Sequence, residues 1–286
     1  MTISEAKQSI INSILLHYDK REASNIASML MEWITKMNKT DLLLNKNVLL
    51  LPDQINNIND FSKRLIIGEP IQYIIGEAWF MSNRYKVSKD TLIPRPETEE
   101  LVAWVLEELQ QHNLNHIHLI DIGTGSGCIP ISIKVKAPSV NMVAIDISNH
   151  TIAIAEENAK QLNCSIQFKV LDFLDESTWS NLEPAHIIVS NPPYIKESEK
   201  SAMHQNVVDF EPHNALFVPN DDALIFYRAI LRFSQSHLLP GGSIYLEINE
   251  ALGKEVVALF SSSYPSVELK KDIFGKDRMV KIKKSN

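Results

Sequence analysis

The sequence lacks the features that mark membrane, secreted and metal-dependent proteins. Only two cysteines occur in 286 residues, and Cys128 and Cys164 give neither a metal-ligand spacing nor a disulfide framework. The nine histidines form no His-Glu-x-x-His motif, and His116 and His118 occupy alternate positions entering a predicted strand. No apolar run reaches the length of a membrane span, and the N-terminus lacks the basic start and apolar block of a signal peptide. We therefore expect a cytoplasmic protein with reduced cysteines, no bound metal and no membrane partner.

An excess of positive charge is missing as well. The formal net charge is −7, from 35 acidic and 28 basic side chains. A protein that holds nucleic acid by its phosphates usually carries a basic face, so this balance argues against direct nucleic-acid binding. Residues 1–75 hold 8 basic and 8 acidic side chains, which leaves 20 basic and 27 acidic side chains in the remainder. The neutral N-terminal part is therefore predicted to be a separate module.

Apolar residues recur at helical spacing through that N-terminal part. Thr40 or Asp41 can cap a short helix, and Gly68 with Pro70 beyond it can end the last one. The longer helical stretches are 4–17, 23–37 and 55–65. The pattern predicts a small helical bundle over residues 1–71, and a bundle of this size beside a larger domain often recognises a partner.

The helical spacing of apolar residues ends at residue 72. Residues 72–90 combine aromatic and β-branched residues with a polar turn, which predicts a β-hairpin linking two domains. Strand and helix patterns then alternate through a domain predicted to span residues 91–286. The predicted strands are 117–122, 142–147, 166–170, 187–190, 243–248, 266–273 and 278–284. This alternation predicts an α/β fold with a parallel sheet covered by helices on both faces, in which the last two strands pair antiparallel.

A glycine loop follows Asp121 at the end of the first long strand. Its residues are Gly123, Thr124, Gly125, Ser126 and Gly127. Glycines let the backbone turn tightly and approach a ligand at a helix N-terminus. The spacing G-x-G-x-G, with cysteine next, does not meet the dinucleotide pattern G-x-G-x-x-G, so a pyrophosphate site is not expected.

Two further strands end in acidic residues. Asp146 follows the glycine loop by about twenty residues, where a carboxylate typically accepts hydrogen bonds from ribose hydroxyls. Asp172 and Phe173 end the third strand and offer a carboxylate and an aromatic face for an adenine ring. Each acid alone is more often a turn residue or a helix cap, but three acids at successive strand ends indicate a site for adenosine without a phosphate.

The fourth strand ends in Asn191, Pro192, Pro193 and Tyr194. Proline fixes φ and pushes the preceding residue towards extended conformations, so Asn191 and Pro192 are both expected to be extended. The Asn191 carboxamide and the backbone carbonyls of this turn are then available to a ligand, and Tyr194 adds a flat wall. The four residues alone are equally consistent with a turn that merely ends a strand.

The glycine loop, the strand-end acids and the Asn-Pro-Pro-Tyr turn together resemble S-adenosylmethionine-dependent methyltransferases that modify a planar nitrogen. Longer segments resemble the peptide chain release factor glutamine methyltransferases, and the resemblance covers nearly the whole chain. These segments are residues 68–74, 93–99, 211–212 and 272–278. Two positions depart from the family pattern: Asn249 stands where glycine is usual, and Pro130 where alanine is usual.

The resemblance implies a Rossmann-like domain with a seven-stranded mixed sheet, joined to the helical bundle by the hairpin. It implies methyl transfer from S-adenosylmethionine to the side-chain amide nitrogen (N5) of the glutamine in the Gly-Gly-Gln motif of class 1 release factors. S-adenosylhomocysteine would be the product, and we expect a monomer. By the same resemblance residues 123–127, Asp146, Asp172, Phe173 and Asn191 line the cofactor site, while residues 191–194 hold the glutamine.

The implied chemistry makes Asn191, Pro192 and Tyr194 the candidate catalytic residues. A carboxamide nitrogen is a poor nucleophile, so positioning in line with the sulfonium methyl supplies much of the rate. The Asn191 side-chain oxygen and the Pro192 carbonyl can accept both amide hydrogens and stabilise the charge that develops on nitrogen. Tyr194 would pack against the planar group.

Three alternative functions stay open from the residues alone. An adenine-N6 or guanine-N2 nucleic-acid methyltransferase presents the same two hydrogens to an Asn-Pro-Pro-aromatic turn. A cofactor-binding scaffold without catalysis would be expected to carry a damaged turn, whereas this turn is intact. A dehydrogenase is a more distant alternative because of the glycine spacing.

Overall fold

The computed structural model describes residues 1–111 and 117–286, and His116 therefore lies outside the described residues. The helices are α1 Ile3–Ile14, α2 Lys20–Thr35, α3 Lys39–Leu44, α4 Pro52–Ile66, α5 Ile71–Ile75, α6 Pro96–Gln111, α7 Cys128–Lys136, α8 Asn149–Gln161, α9 Gln205–Phe210, α10 His213–Leu216, α11 Ile225–His237 and α12 Gly253–Ser261. The strands are β1 Glu77–Phe80, β2 Asn83–Lys86, β3 His118–Ile122, β4 Asn141–Asp146, β5 Gln167–Val170, β6 Ala185–Ser190, β7 Ile195–Lys196, β8 Phe217–Val218, β9 Leu238–Glu247, β10 Ser266–Lys271 and β11 Asp277–Lys283.

The described chain forms two compact units. One consists of Met1–Glu77 with His204–Phe210, and the other of Ala78–Met203 with Glu211–Asn286. None of the helices in the described ranges combines the length and the apolar character needed to cross a lipid bilayer. The predicted domain boundaries at residues 71 and 90 stay predictions.

The first unit is helical, as the sequence predicts. Its helices are amphipathic, and their apolar faces meet in one core. Fully buried members of this core include Ile10, Ile14, Leu30, Met31 and Leu65. Helix α9 belongs to the same unit although it comes much later in the chain, and a Cβ built on Gly68 would lie 3.8 Å from Cβ of Asn206.

Two local predictions in this region were wrong. Helix α3 is capped by Asn38, whose side-chain oxygen accepts a hydrogen bond from the Asp41 amide at 2.9 Å, rather than by Thr40 or Asp41. Residues 71–75 form helix α5 and not the start of the hairpin. Pro70 presets the entry into this helix, and Gly76 ends it with φ of 73°, a left-handed conformation that glycine adopts at little cost.

The second unit carries a seven-stranded mixed sheet, which confirms the predicted fold class. The strand order is β10-β11-β9-β6-β3-β4-β5. The five strands from β9 to β5 run parallel, whereas β10 and β11 pair antiparallel. Strands β3 and β6 are direct neighbours, with Asp121 opposite Val189 and Ile122 opposite Ser190. Because the strand order reverses there, a crevice is expected at their carboxyl ends.

Alternate residues of the central strands enter two separate cores. Ile120, Ile188 and Ile244 pack on one face of the sheet, together with α11. Leu119 and Val189 pack on the other face, together with α6 and α7. Burial on both faces explains why the parallel strands appear in the sequence as nearly continuous apolar runs.

The stretch after the Asn-Pro-Pro-Tyr turn is more ordered than its sequence suggests. Residues 195–220 have little periodicity, yet they contain the two-residue parallel pair β7 and β8 and the short helices α9 and α10. Elements of two to six residues leave no measurable repeat in a sequence, so the absence of periodicity did not mean an absence of structure.

Candidate active site

A cavity of about 360 Å³ opens at the carboxyl ends of the parallel strands, within the second unit. Its wall is formed by the ends of β3, β4, β5 and β6, by residues near 90 and by residues between 214 and 226. The predicted site residues in this wall are Gly123, Gly125, Asp146, Asp172, Phe173, Asn191, Pro192 and Pro193. A concave, mainly apolar space with a few polar groups is typical of small-molecule sites.

The glycine loop shapes one side of the cavity. Gly123 and Gly125 have φ of 74° and 56°, and a Cβ built on either would meet nothing within 4 Å. The backbone conformation therefore favours glycine at these two positions, although the space around them does not demand it. Gly127 is different, because a Cβ there would also lie 2.9 Å from Cδ1 of Ile131 and 3.1 Å from Cβ of Ala155. It lets the start of α7 pack closely against α8.

Three polar side chains around this loop are buried without a partner in the described part of the chain. They are the carboxylate of Asp121, the hydroxyl of Thr124 and the hydroxyl of Ser126. Burial, together with the nearby charge of Asp146, raises the pKa of Asp121 to about 7, although the nearby Thr124 hydroxyl acts in the opposite direction. Buried polar groups are almost always satisfied in folded proteins, so unpaired ones beside a cavity fit a polar or cationic ligand. S-adenosylmethionine carries a sulfonium and an ammonium group, and the site fits it in this respect.

Asp146 joins the glycine loop to the end of β4. One carboxylate oxygen accepts a hydrogen bond from the Gly125 amide at 3.0 Å, and the other accepts one from the Ser148 amide at 3.1 Å. Burial raises the pKa of Asp146, while these amides act in the opposite direction. A carboxylate has about four lone-pair sites, so acceptor capacity remains for a ligand in the cavity.

Asp172 and Phe173 stand at the end of β5. Asp172 is exposed and its carboxylate accepts a hydrogen bond from the Leu174 amide at 2.9 Å. The ring of Phe173 contributes to the cavity wall but is only 5% exposed, and it packs edge-on against Phe233 at 5.3 Å between ring centroids. Phe173 therefore offers part of its surface to the cavity, while most of the ring belongs to the core.

The Asn-Pro-Pro-Tyr turn follows β6 as predicted, and its first three residues line the cavity. The Asn191 side-chain nitrogen donates a hydrogen bond to the Thr98 hydroxyl at 3.2 Å. Tyr194 is not among the described residues that line the cavity. Its hydroxyl donates to the Glu247 carboxylate at 3.3 Å.

Sequence reasoning missed Thr98 and Glu247. Thr98 lies in the first turn of α6 and donates its hydroxyl hydrogen to the Glu247 carboxylate at 2.6 Å. Glu247 ends β9 and is 2% exposed, and burial raises its pKa to about 7 even though the bond from Thr98 and the charge of Arg278 oppose this. The only signal in the sequence was an acidic residue at the end of an apolar strand.

Arg95, which stands between two prolines, has a partner that the sequence did not predict. Its guanidinium lies 2.5 Å from the carboxylate of Glu211, whose side chain is 1% exposed. The second oxygen of Glu211 accepts a hydrogen bond from the Ile93 amide at 3.3 Å. This pair ties the segment before α6 to the segment before α10, and both segments continue into residues of the cavity wall.

Comparisons with known proteins cover almost the whole chain. The methyltransferase small domain family matches residues 101–212, and the PrmC N-terminal domain family matches residues 13–76. A release factor glutamine methyltransferase from Flavobacterium psychrophilum is 38% identical over 284 residues, which cover 99% of each chain. Another from Bacteroides thetaiotaomicron is 38% identical over 264 residues, or 92% of this chain and 93% of the relative.

Solved structures support the fold alone. A T. thermophilus 16S rRNA N2 methyltransferase in complex with AdoMet and guanosine aligns with a TM-score of 0.52 and 15% identity, over 73% of this chain and 49% of that one. A methyltransferase from Pyrococcus furiosus aligns with a TM-score of 0.50 and 15% identity, over 80% of this chain and 100% of that one. Sequence identity over the full length decides the family, and the chain belongs to the release factor glutamine methyltransferases, which are S-adenosylmethionine-dependent enzymes.

Proposed function

We propose that this enzyme transfers the methyl group of S-adenosylmethionine to the side-chain amide nitrogen (N5) of the glutamine in the Gly-Gly-Gln motif of class 1 peptide chain release factors. S-adenosylhomocysteine is the second product, and the modification supports translation termination. The names of the relatives point to release factors as the substrate. The observation that carries the proposal is the Asn-Pro-Pro turn in the cavity wall, with the Asn191 nitrogen already engaged by Thr98.

The cofactor site proposed here consists of residues 123–127, Asp146, Asp172, Phe173 and Asn191. When bound, S-adenosylmethionine supplies an electrophilic methyl group on a sulfonium centre. Gly123 and Gly125 leave open space at the cavity wall, and Asp146 keeps lone pairs for hydroxyl groups. The buried carboxylate of Asp121 carries a negative charge beside the loop when it is ionised, and a cationic ligand would favour that ionised form.

The substrate site proposed here consists of Asn191, Pro192, Pro193 and Tyr194. An amide nitrogen has a delocalised lone pair, so the main task of the site is to hold the NH₂ group in line with the methyl carbon. The Asn191 side-chain oxygen and the Pro192 carbonyl accept its two hydrogens. As the nitrogen–carbon bond forms and the sulfur–carbon bond breaks, positive charge develops on the nitrogen, and the two acceptors stabilise it. The extra proton leaves after transfer, so no general base precedes attack.

We assign Tyr194 to holding this turn in place. Its hydroxyl is engaged by Glu247, and its ring packs beside the core of the sheet. The flat wall that its ring would offer to the substrate amide stays part of the proposal, and the hydroxyl adds an anchor for the turn.

The N-terminal helical part, residues 1–71, is proposed to recognise the release factor, with the catalytic domain at residues 91–286 and the hairpin segment between them. Its neutral charge balance favours a protein partner over a polyanion. It also exposes large apolar side chains close together in sequence: Leu43, Leu44, Leu49 and Leu51 are each at least 65% exposed. Exposed apolar patches of this kind mark protein contact sites. We further propose that the enzyme is a monomer that does not bind nucleic acid directly.

A methyl-transfer assay tests the function. Purified enzyme and methyl-labelled S-adenosylmethionine are incubated with a class 1 release factor, with the same factor carrying asparagine or glutamate in place of the motif glutamine, and with duplex DNA or RNA. We expect label only in the factor that keeps the motif glutamine, and peptide mapping should find a single methyl group on that glutamine. Label in the nucleic acid would instead support the adenine or guanine methyltransferase alternative.

A further inference from the structure

One buried residue, Glu247, accepts hydrogen bonds from three hydroxyl groups at the edge of the proposed substrate site, two of them on its carboxylate. Glu247 accepts hydrogen bonds from Thr98 at 2.6 Å and from Tyr194 at 3.3 Å, on different oxygens. Its own main-chain carbonyl accepts a third, from the Tyr227 hydroxyl at 3.1 Å. Glu247 is thereby joined directly to the last residue of the Asn-Pro-Pro-Tyr turn and, through Thr98, to the side chain of Asn191.

The chemistry of these groups sets a direction along the chain of hydrogen bonds. An ionised carboxylate can only accept, so the single hydroxyl hydrogen of Thr98 is committed to Glu247. The Thr98 oxygen can then only accept from Asn191, and of the two ends of the Asn191 carboxamide only the nitrogen can donate. The 3.2 Å contact between that nitrogen and the Thr98 oxygen agrees with this direction.

We propose that Thr98 and Glu247 are positioning residues that hold the Asn191 carboxamide in one of its two orientations, with the oxygen available to the substrate amide. The inference rests on the proposed function of Asn191 as an acceptor. A carboxamide rotated by half a turn would present its nitrogen to the substrate NH₂ group, and two donors would face each other. Neither Thr98 nor Glu247 needs to touch the substrate for this effect.

Protonation of Glu247 should reverse the direction in which hydrogen bonds are donated among Asn191, Thr98 and Glu247. A protonated carboxyl group can donate to the Thr98 oxygen, which frees the Thr98 hydrogen to bind the Asn191 oxygen. The raised pKa of Glu247, about 7, places this change within an accessible range. The titratable or charged groups that act on Glu247 or respond to its charge come from several elements: Glu97 on α6, Arg278 on β11, Tyr194 in the turn, Cys128 on α7 and Tyr227 on α11.

The decisive variants are Thr98→Val and Thr98→Ser. Valine has nearly the shape of threonine but leaves the Asn191 nitrogen without its acceptor, so the orientation is no longer enforced. We expect kcat for methyl transfer to fall about 10- to 100-fold, less than the loss of about 10²- to 10³-fold that follows removal of a group in direct contact with the reacting atoms, because Thr98 acts through Asn191. The dissociation constant of S-adenosylmethionine should change by less than about threefold, because the glycine loop and Asp146 are unaltered. Serine keeps the hydroxyl and should restore kcat to within about threefold of the parent enzyme.

Glu247→Gln supplies a second test that does not depend on Thr98. Glutamine does not ionise, and its amide can either accept from the Thr98 hydroxyl or donate to it, so the Thr98 hydrogen is no longer committed to position 247 at any pH. We expect kcat to fall and the acid limb of the pH profile near pH 7 to disappear. The matched control is Glu108→Gln. Glu108 is also buried and also accepts hydroxyl hydrogen bonds from β9, from Ser243 at 2.7 Å and from Tyr245, yet it does not line the cavity. Its variant should keep kcat within about twofold.

Asn191→Ala separates failure of this inference from failure of the proposed function. If Asn191→Ala loses turnover while Thr98→Val and Glu247→Gln both keep kcat within twofold, the positioning role is wrong and the acceptor role of Asn191 stands. If Asn191→Ala also turns over normally, both are wrong. Thermal melts of each variant, with and without S-adenosylmethionine, test whether the compared proteins are folded. If Thr98→Val does not fold, the kcat of Glu247→Gln decides whether the positioning role stands.

Discussion

Replacement of Asn191 by alanine is the most direct perturbation of the proposed chemistry. The change removes one of two acceptors for the substrate NH₂ group and leaves the other, the main-chain carbonyl of Pro192, in place. A hydrogen bond to a group that carries charge contributes about 1.5–3 kcal/mol, and one that acts only in the transition state about 2.7–4 kcal/mol. The expected loss in kcat is therefore about 10²- to 10³-fold, which nearly abolishes turnover.

Binding of S-adenosylmethionine should suffer much less. The glycine loop and Asp146 keep their geometry, since the hydrogen bond between Asp146 and the Gly125 amide does not involve Asn191. Stability should change little, because the lost bond to Thr98 is 3.2 Å long and a neutral hydrogen bond contributes about 0.5–1.5 kcal/mol. The variant is thus expected to fold, to bind the cofactor and to fail in transfer.

The assay follows methyl label into release factor under single-turnover conditions, with cofactor affinity measured separately by calorimetry. Asn249→Ala is a matched control, because Asn249 also follows a central strand but only caps a short helix, accepting from the Ala251 amide at 3.0 Å. This control should retain turnover. Turnover of Asn191→Ala within twofold of the parent enzyme would remove Asn191 from the mechanism.

Four further predictions concern backbone conformation, the pH dependence of stability at two buried carboxylates, and cofactor binding. Gly127→Ala should lower the melting temperature more than Gly123→Ala, because both positions have positive φ but only at Gly127 would the new Cβ lie 2.9 Å from Ile131. Glu247 has a pKa of about 7 in the folded protein against an ordinary value of 4.5, so the folded state loses stability as the pH rises between these values. Glu247→Gln should therefore raise the free energy of unfolding at pH 8 by up to about 3 kcal/mol, as measured by denaturant titration. Glu108, whose pKa falls to about 2 because hydrogen bonds from Lys283, Tyr245, Lys281 and Ser243 outweigh burial, should show the opposite sign, a loss of about 1–3 kcal/mol at pH 8 for Glu108→Gln. S-adenosylmethionine at a hundredfold excess over its dissociation constant should stabilise the folded enzyme by about 2.7 kcal/mol, and an unchanged melting temperature would contradict binding.

The central sheet was predictable because parallel strands covered on both faces need apolar residues at nearly every position. Strands β3, β4 and β6 are of this kind, and helices between them set the alternation. The short elements were not predictable in the same way. Helix α5 has β-branched residues that favour a strand, and its identity depends on Pro70 and Gly76 at its two ends.

The candidate site was only partly predictable. Asn191 and the glycines were identified because proline restricts the backbone of the residue before it and glycine permits conformations that other residues rarely adopt. Glu247 and Thr98 were missed because nothing in their immediate sequence distinguishes a polar residue that organises a site from one that caps a helix or ends a strand. The partner of each is a residue from another element of the fold.

The sequence by itself determined the family, the two kinds of module, the order of the long strands and helices along the chain, and the two loops that line the cavity. These follow from periodicity and from glycine and proline conformations, which depend on residues close together in the chain. Only the tertiary structure shows that Asn191 donates to Thr98, that the Tyr194 hydroxyl donates to Glu247, and that helix α9 belongs to the first unit. Strand order and register determine which side chains from distant segments come within hydrogen-bond distance, and no local sequence pattern encodes that proximity.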